Sequence, residues 1–266
     1  MAKGPNLIAI SVGNTRTAAG QFADGELKRS ERFANTDVPQ IIERITAWWQ
    51  EIAGSPRAAL ALASVNDSLT ERIALTLEDQ LSVDVYRIDR DLPIPIATQL
   101  DPETITGVDR LLNAAAAFEA VQQACIIVDA GTAVTVDFVD GEGTFHGGAI
   151  APGGSIQLKA LHEHAAALPE LKFHAPNDEA FGRSTAQAML KGVYQGIRGM
   201  IWRLVEQYAE SYGAYPMVIA TGGDAAVLFE REELVDRIVP DLTLLGIAAA
   251  ARHALAVNDA DADVRR

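Results

Sequence analysis

The sequence predicts an α/β chain of two similar domains, each a mixed sheet with helices packed outside. Three observations carry this. The stretch IAISVGNTRTAAGQFADGEL, from Ile8, returns in outline as IIVDAGTAVTVDFVDGEGTF, from Ile126. Each copy reads as an apolar strand, a small Gly-Thr turn, a period-2 strand, an Asp-Gly turn and the start of a third strand. Helix and strand periodicities alternate through the rest of the chain. Apolar residues make up 48% of 266, enough for a sizeable core.

The elements follow in order. VPQIIERITAWWQEIAG places apolar residues at 41, 42, 45, 48, 49 and 52, one face of a helix that stops at Gly54. RAALALASV is a buried strand. SLTERIALTLEDQLS is a second amphipathic helix, with Ser68 and Glu71 forming a capping-box pattern. VDVYRID is another strand, and DRLLNAAAAFEAVQQ is a helix that leads into the second copy of the repeat. Beyond that copy, the stretch from Thr185 to Gly213 is a long helix carrying small residues at 188, 192, 196 and 199. PMVIATGG is a strand entering a glycine turn, and LLGIAAAARHAL closes the chain as a helix ahead of a polar, acidic tail expected to fray. The domains expected are residues 1–113 and 114–266.

Acids outnumber bases 36 to 22, for a net charge of -14. That excludes the broad basic face nucleic-acid binding needs, and it means a phosphate-handling site must find local positive charge, helix ends or cations. No apolar run is long enough to span a bilayer, and the N-terminal stretch lacks a signal-peptide pattern. Cys125 is the single cysteine, so no disulfide framework exists. A reducing, cytoplasmic compartment fits, with Cys125 a small buried hydrophobe.

Gly13-Asn14-Thr15 and Gly131-Thr132 stand at the equivalent turns of the repeat. Glycine there lets backbone N–H groups approach an anion, and Asn and Thr add donors. A plain hairpin accounts for one such turn taken alone. Asp129 ends an apolar strand just before its turn, where a carboxylate suits a cation; a turn-capping Asp is the alternative. Asp109 and Arg110 fall in the first turn of a helix opened by Thr106 or Gly107. The carboxylate there compensates the helix dipole or accepts a proton from a hydroxyl nucleophile. Ser184-Thr185 begins a helix, as an N-cap or as hydroxyl donors to a small substrate. Gly222-Gly223, at a strand-to-helix turn, would let backbone pack flat against a ring such as adenine. FHGGAIAPGG, from Phe145, reads as a strand running into a backbone-lined loop, with His146 structural. His162 and His164 have the wrong spacing for two ligands on one helix face.

Taken in order, GNTRT, GVDR, VDAGTAVTVDFVD, FHGGAIAPG, GRSTAQAMLKG, VIATGG and LTLLGI resemble the type III pantothenate kinase family. That family lies in the acetate and sugar kinase/Hsp70/actin superfamily, and the resemblance implies two ribonuclease H-like domains. It implies ATP-dependent phosphorylation of pantothenate on the way to coenzyme A, with Mg²⁺ and a monovalent cation, K⁺ or ammonium. It implies a homodimer with pantothenate near the dimer interface. By this resemblance Ser11 to Ala18 form the first phosphate loop, with Ser11, Gly13, Asn14, Thr15, Arg16 and Thr17 meeting the nucleotide. Asp109 would be the general base, and Gly107, Val108, Asp109 and Arg110 would bind pantothenate. Asp129 would ligate the monovalent cation, Thr132 would contact ATP phosphate and Thr185 would hydrogen-bond pantothenate. Where the family has Asp, this chain has Ser11, overlaying Asp129 in the repeat. Losing that carboxylate should weaken Mg²⁺ binding by about 10–100-fold if it acts through the outer shell. A non-catalytic relative of the transcription-accessory type, keeping the fold and binding nucleotide, is the alternative. A sugar kinase or Hsp70-like ATPase fits the short length and GVDR less well.

Overall fold

The computed structural model describes residues 4–230 and 233–264. It holds two sheets. The first takes β1 (Asn6–Val12), β2 (Arg16–Ala23), β3 (Glu26–Ala34), β4 (Ala58–Ser64) and β5 (Val85–Arg87) in the order β3-β2-β1-β4-β5. The second takes β6 (Ala97–Thr98), β7 (Cys125–Ala130), β8 (Ala133–Val139), β9 (Thr144–Pro152), β10 (Met217–Thr221) and β11 (Arg237–Ile238) in the order β11-β10-β7-β8-β9-β6. Read from the other edge, β9-β8-β7-β10-β11 repeats the order of the first sheet. In both, the leading strand pairs antiparallel with its hairpin partner and parallel with a later strand. The repeat seen in the sequence is therefore a repeat of topology.

The helices are α1 (Val38–Ile52), α2 (Asp67–Leu81), α3 (Val108–Val121), α4 (Gly154–His164), α5 (Thr185–Tyr212), α6 (Ala225–Phe229) and α7 (Leu242–Val264). Burial explains why β1 and β7 read as unbroken apolar runs. Ile8 and Ile10 of β1 pack with Ile41, Ile45 and Trp48 of α1 and Ile73 and Leu77 of α2. Leu7 and Ala9, on the other face, pack with Leu244, Ile247 and Ala248 of α7. A strand covered on both faces has no polar face to show. In β7, Ile126 and Val128 meet Leu190, Val193, Ile197 and Ile201 of α5. The apolar positions foreseen on α1 are its buried face.

The chain divides into two compact units. One runs from the described N-terminus to Ile96 and adds Pro102–Ala116 and the chain from Asp241 on; the other is Ala97–Asp101 with Ala117–Pro240. The division falls inside α3, three residues after the 113/114 boundary read from the sequence. The closing helix joins the first unit. At Gly246 a Cβ would lie 2.3 Å from the Leu112 carbonyl oxygen, so α7 and α3 touch backbone to side of helix.

Three local expectations shift. The N-cap of α2 is Asn66, whose side chain accepts from Leu69 N at 3.4 Å; Ser68 instead donates to Asn66 at 3.3 Å. The cap moves because Ser64 Oγ accepts Asn66 N at 2.8 Å and turns the chain earlier. The first hairpin turns through Asp24 and Gly25, both at positive φ (52° and 84°), the two-residue form such a pair favours. The second is longer: Gly143 N donates to Asp140 O at 3.2 Å and Gly143, not Gly141, takes the left-handed position at φ 84°. The acidic tail, expected to fray, continues α7 to Val264, with no Gly or Pro to stop it. Arg265 and Arg266 lie outside the described residues. Among the described residues, no helix is long and apolar enough to cross a membrane.

Candidate active site

The turn after β1 is built by bonds that converge on one side chain. Gly13 N donates to Arg16 O at 3.0 Å, closing the turn. Asn35, just past β3, donates its side-chain amide to Gly13 O at 2.8 Å and its backbone N–H to Thr15 O at 3.2 Å. Its side-chain oxygen accepts from Thr17 Oγ1 at 2.8 Å. Asn14, Thr15 and Arg16 are exposed at the tip. Thr17, expected to meet a nucleotide, is fully buried. Its hydroxyl is spent on Asn35, so it holds the loop from beneath. On the β4 side, Val65 N and Ser64 Oγ both donate to Val12 O, at 3.1 and 3.3 Å. Ser11 is half-buried and pairs with Ala18 and Ala63.

The equivalent turn after β7 is tighter by one residue, closed by Gly131 N donating to Ala133 O at 2.9 Å. Asp129 pairs with Thr135 on β8 and Thr221 on β10. Its carboxylate occupies space only glycine leaves: a Cβ at Gly222 would lie 2.5 Å from Asp129 Oδ1 and 2.3 Å from Ala130 O. Gly222 also needs φ 93°, open to glycine at no steric cost. The pair read as a flat surface for a ring thus divides: Gly222 clears the Asp129 carboxylate, and Gly223 is exposed. Across the strand pair from Asp129, Thr135 Oγ1 is buried with no hydrogen-bond partner. Gly153 N donates to Thr132 O at 3.0 Å, and a Cβ on Gly153 would lie 2.0 Å from Gly131 O. The Pro-Gly-Gly loop is therefore packed backbone to backbone on this turn. Gly153 caps α4 without a side-chain hydrogen bond, so a helix N-terminus that favours anions begins next to exposed Thr132.

Asp109 lies in the first turn of α3, half-buried. Gly107 O accepts from Arg110 N at 3.1 Å and Leu111 N at 3.4 Å, which makes Gly107 the residue that opens the helix. A Cβ there would lie 2.6 Å from Asp109 Oδ1, so this glycine too makes room for a carboxylate. Asp109 Oδ1 accepts from Arg110 N at 2.8 Å. Burial pushes the Asp109 carboxyl above its ordinary range, against the opposing pull of the Arg110 N–H and the Arg110 charge. A carboxylate made more basic by burial at a helix opening is suited to accept a proton. Val108 packs into the core beneath.

Residues 7–207 match the family model for type III pantothenate kinase. The type III pantothenate kinase of Rhodospirillum rubrum is 34% identical over 256 residues, covering 93% of this chain and 98% of that one. The chain belongs to the type III pantothenate kinase family. A family member from Moorella thermoacetica is 32% identical and covers 91% of this chain and 96% of its own. In fold, the chain resembles a Campylobacter jejuni protein assigned to the Baf family of transcriptional activators (TM-score 0.62, 19% identity, 94% and 99% coverage). It also resembles the activator of 2-hydroxyisocaproyl-CoA dehydratase from Clostridium difficile, solved with ADPNP (TM-score 0.54, 12% identity, 97% of each chain). These two likenesses bear on the fold alone.

The other candidate residues of this family member fall as follows. Ser184 is the N-cap of α5, accepting from Gln187 N at 3.3 Å, and Thr185 is exposed as the first residue of that helix. His146 Nε2 lies 2.7 Å from Asp140 Oδ2 and its ring sits 5.6 Å from that of Phe138, a clamp on the second hairpin. His162 Nδ1 is 2.7 Å from Leu168 O. Cys125 is fully buried and its thiol is pushed up to about 12 by burial. Asn35 and Thr135 carry no local sequence pattern that singles them out; only their partners across the sheet reveal them.

Proposed function

We propose that the chain transfers the terminal phosphoryl group of ATP to the primary hydroxyl of pantothenate, giving 4'-phosphopantothenate and ADP. The observation that carries this reading is Asp109. Its carboxylate is set at a helix opening that Gly107 keeps clear, beside Arg110, and its basicity is raised by burial. Asp109 takes the hydroxyl proton as the substrate oxygen attacks phosphorus and the bond to the ADP leaving oxygen breaks. Gly107, Val108, Asp109 and Arg110 hold pantothenate, with Thr185 adding a hydrogen bond. Gly13 to Arg16 are the phosphate-holding turn after β1, and Thr132 of the turn after β7 is a phosphate contact. Phosphoryl transfer asks chiefly for positioning and neutralised charge.

The donors present suit two cations differently. Among the described residues, no three Asp, Glu, His or Cys side chains gather to hold a metal ion. Mg²⁺ would therefore be held chiefly by the nucleotide itself. When bound, Mg²⁺ neutralises phosphate charge. Ser11 would offer it only a neutral hydroxyl, with no charge. For K⁺ or ammonium the fit is closer, because Asp129 supplies a charged oxygen in a cradle that a Cβ at Gly222 would fill, and Thr135 supplies an orphaned hydroxyl. The reading carries a homodimer.

A second reading rests on Ser11 alone: a regulatory relative that binds nucleotide and has lost turnover. The two separate on one experiment, in which purified protein is incubated with ATP, Mg²⁺, K⁺ and pantothenate and the products are separated by mass. Formation of 4'-phosphopantothenate in wild type but not in Asp109→Asn supports the kinase; nucleotide binding without product supports the regulator.

A further inference from the structure

Asn35 is half-buried just past the end of β3, outside every stretch that carries the resemblance, yet three hydrogen bonds tie it to the turn after β1. Two hold the carbonyls of Gly13 and Thr15, which flank Asn14 at the exposed tip. The third takes the hydroxyl of fully buried Thr17, at the first inward position of β2. With Gly13 O and Thr15 O both turned toward Asn35, the peptide planes of the turn are fixed. A phosphate-holding turn works through the direction of its backbone N–H groups, and those directions follow the planes. The acid that would help gather a metal at this loop is absent, since Ser11 stands in its place. The loop's backbone must then supply more of the hold on the nucleotide.

We propose that Asn35 is a positioning residue for the nucleotide: it sets the first phosphate loop without touching the phosphates. The inference rests on the reading of that loop as nucleotide-binding. The Asn35 side chain acts through Gly13 O and Thr17 Oγ1, so its loss is felt by ATP and not by pantothenate, whose proposed contacts lie outside this loop. Asn35→Ala removes both side-chain bonds. Asn35→Asp keeps the acceptor for Thr17 but can no longer donate to Gly13 O, and it brings a negative charge beneath a loop meant for phosphate. Thr17→Val removes the third bond alone.

The test is to measure the Kd for ATP by calorimetry and the KM for ATP and for pantothenate separately, on variants whose fold is checked by circular dichroism. Asn35→Ala should raise the Kd and KM for ATP by about tenfold, the consequence of roughly one net hydrogen bond. The KM for pantothenate should stay within about twofold, the spread of an unaffected site. Asn35→Asp should raise the ATP values further, and adding Thr17→Val to Asn35→Ala should cost less than the two changes apart. If Asn35→Ala does not fold, Asn35→Asp carries the same split. Wild type that binds ATP while both Asn35 variants bind it equally well would overturn the inference alone, as would equal losses for both substrates. Wild type that binds no ATP would overturn the nucleotide reading and this inference with it.

Discussion

Ser11 and Asp129 hold the same place in two copies of one strand arrangement. Each lies one residue before the end of its strand's apolar run, each pairs antiparallel with a hairpin partner, Ala18 or Thr135, and each pairs parallel with a strand further along, at Ala63 or Thr221. Glycine two residues on opens the turn in both. The chemistry differs by one carboxylate.

From that difference follows the behaviour toward Mg²⁺. Ser11→Asp should restore a carboxylate at the first loop and lower the Mg²⁺ concentration for half-maximal activity by about 10–100-fold, the range for an outer-shell partner. The measurement is rate against Mg²⁺ at fixed ATP. An unchanged or higher requirement would mean that another group already organises the metal.

Asp109→Asn should lower turnover by about 10²–10⁴-fold, the loss expected for a general base, with ATP binding kept. In wild type the acid limb of the rate profile should fall at a pH above the ordinary Asp range, because burial raises this carboxyl. The sign for stability is opposite to that of a salt-bridged acid. The folded state favours the protonated form, so the contribution is full below the unfolded pKa and lost as pH rises through the folded one. Asp109→Asn should therefore raise Tm at neutral pH while removing activity; a lower Tm would show that the charge supports the fold.

Asp129→Asn and Thr135→Val should each weaken the response to K⁺. The readout is the rise in Tm when K⁺ replaces a bulky organic cation, alongside the K⁺ dependence of rate. Gly222→Ala should remove the response too, and should cost about 1–3 kcal/mol of stability, since φ 93° and contact with the Asp129 carboxylate both strain a Cβ. An unaltered Tm shift in all three would place the cation elsewhere.

Asp140 clamps the second hairpin. Burial pushes its carboxyl up, but donation from His146, Thr144 N and Glu142 N together holds it below the usual range. Its stabilisation is present above the unfolded pKa and lost as pH falls through the folded one. Asp140→Asn should lower Tm at pH 7, and the deficit against wild type should close in acid. A deficit that persists in acid would assign the loss to packing against Phe138 and His146.

Much of this was legible from residues alone, for physical reasons. The repeat shows in the sequence because apolar strands and Asp-Gly turns leave local marks, and α1 shows because its buried stripe recurs at helical spacing, whereas the small residues noted on α5 at 188, 192, 196 and 199 lie on its exposed face. Asp109 and Asp129 are visible as charges in apolar company, which marks them as candidates only. What stayed hidden depends on distance along the chain. Asn35 reaches back 22 residues to Gly13, and nothing in Ala34-Asn35-Thr36 announces it. Thr17 looks like a loop donor until the alternation of β2 turns it inward. That α7 packs on β1 is a property of where the chain returns, and no local pattern encodes it. Gly222 shows as a turn glycine, but the carboxylate it clears lies 93 residues earlier.

On the proposed reading, this family member turns over despite Ser11. The most direct measurement is the rate of 4'-phosphopantothenate formation by wild-type protein in K⁺ buffer across a Mg²⁺ series. Saturable turnover is expected, with Mg²⁺ required at a higher concentration than for Ser11→Asp. No product at any Mg²⁺ concentration, with ATP still bound, would contradict it.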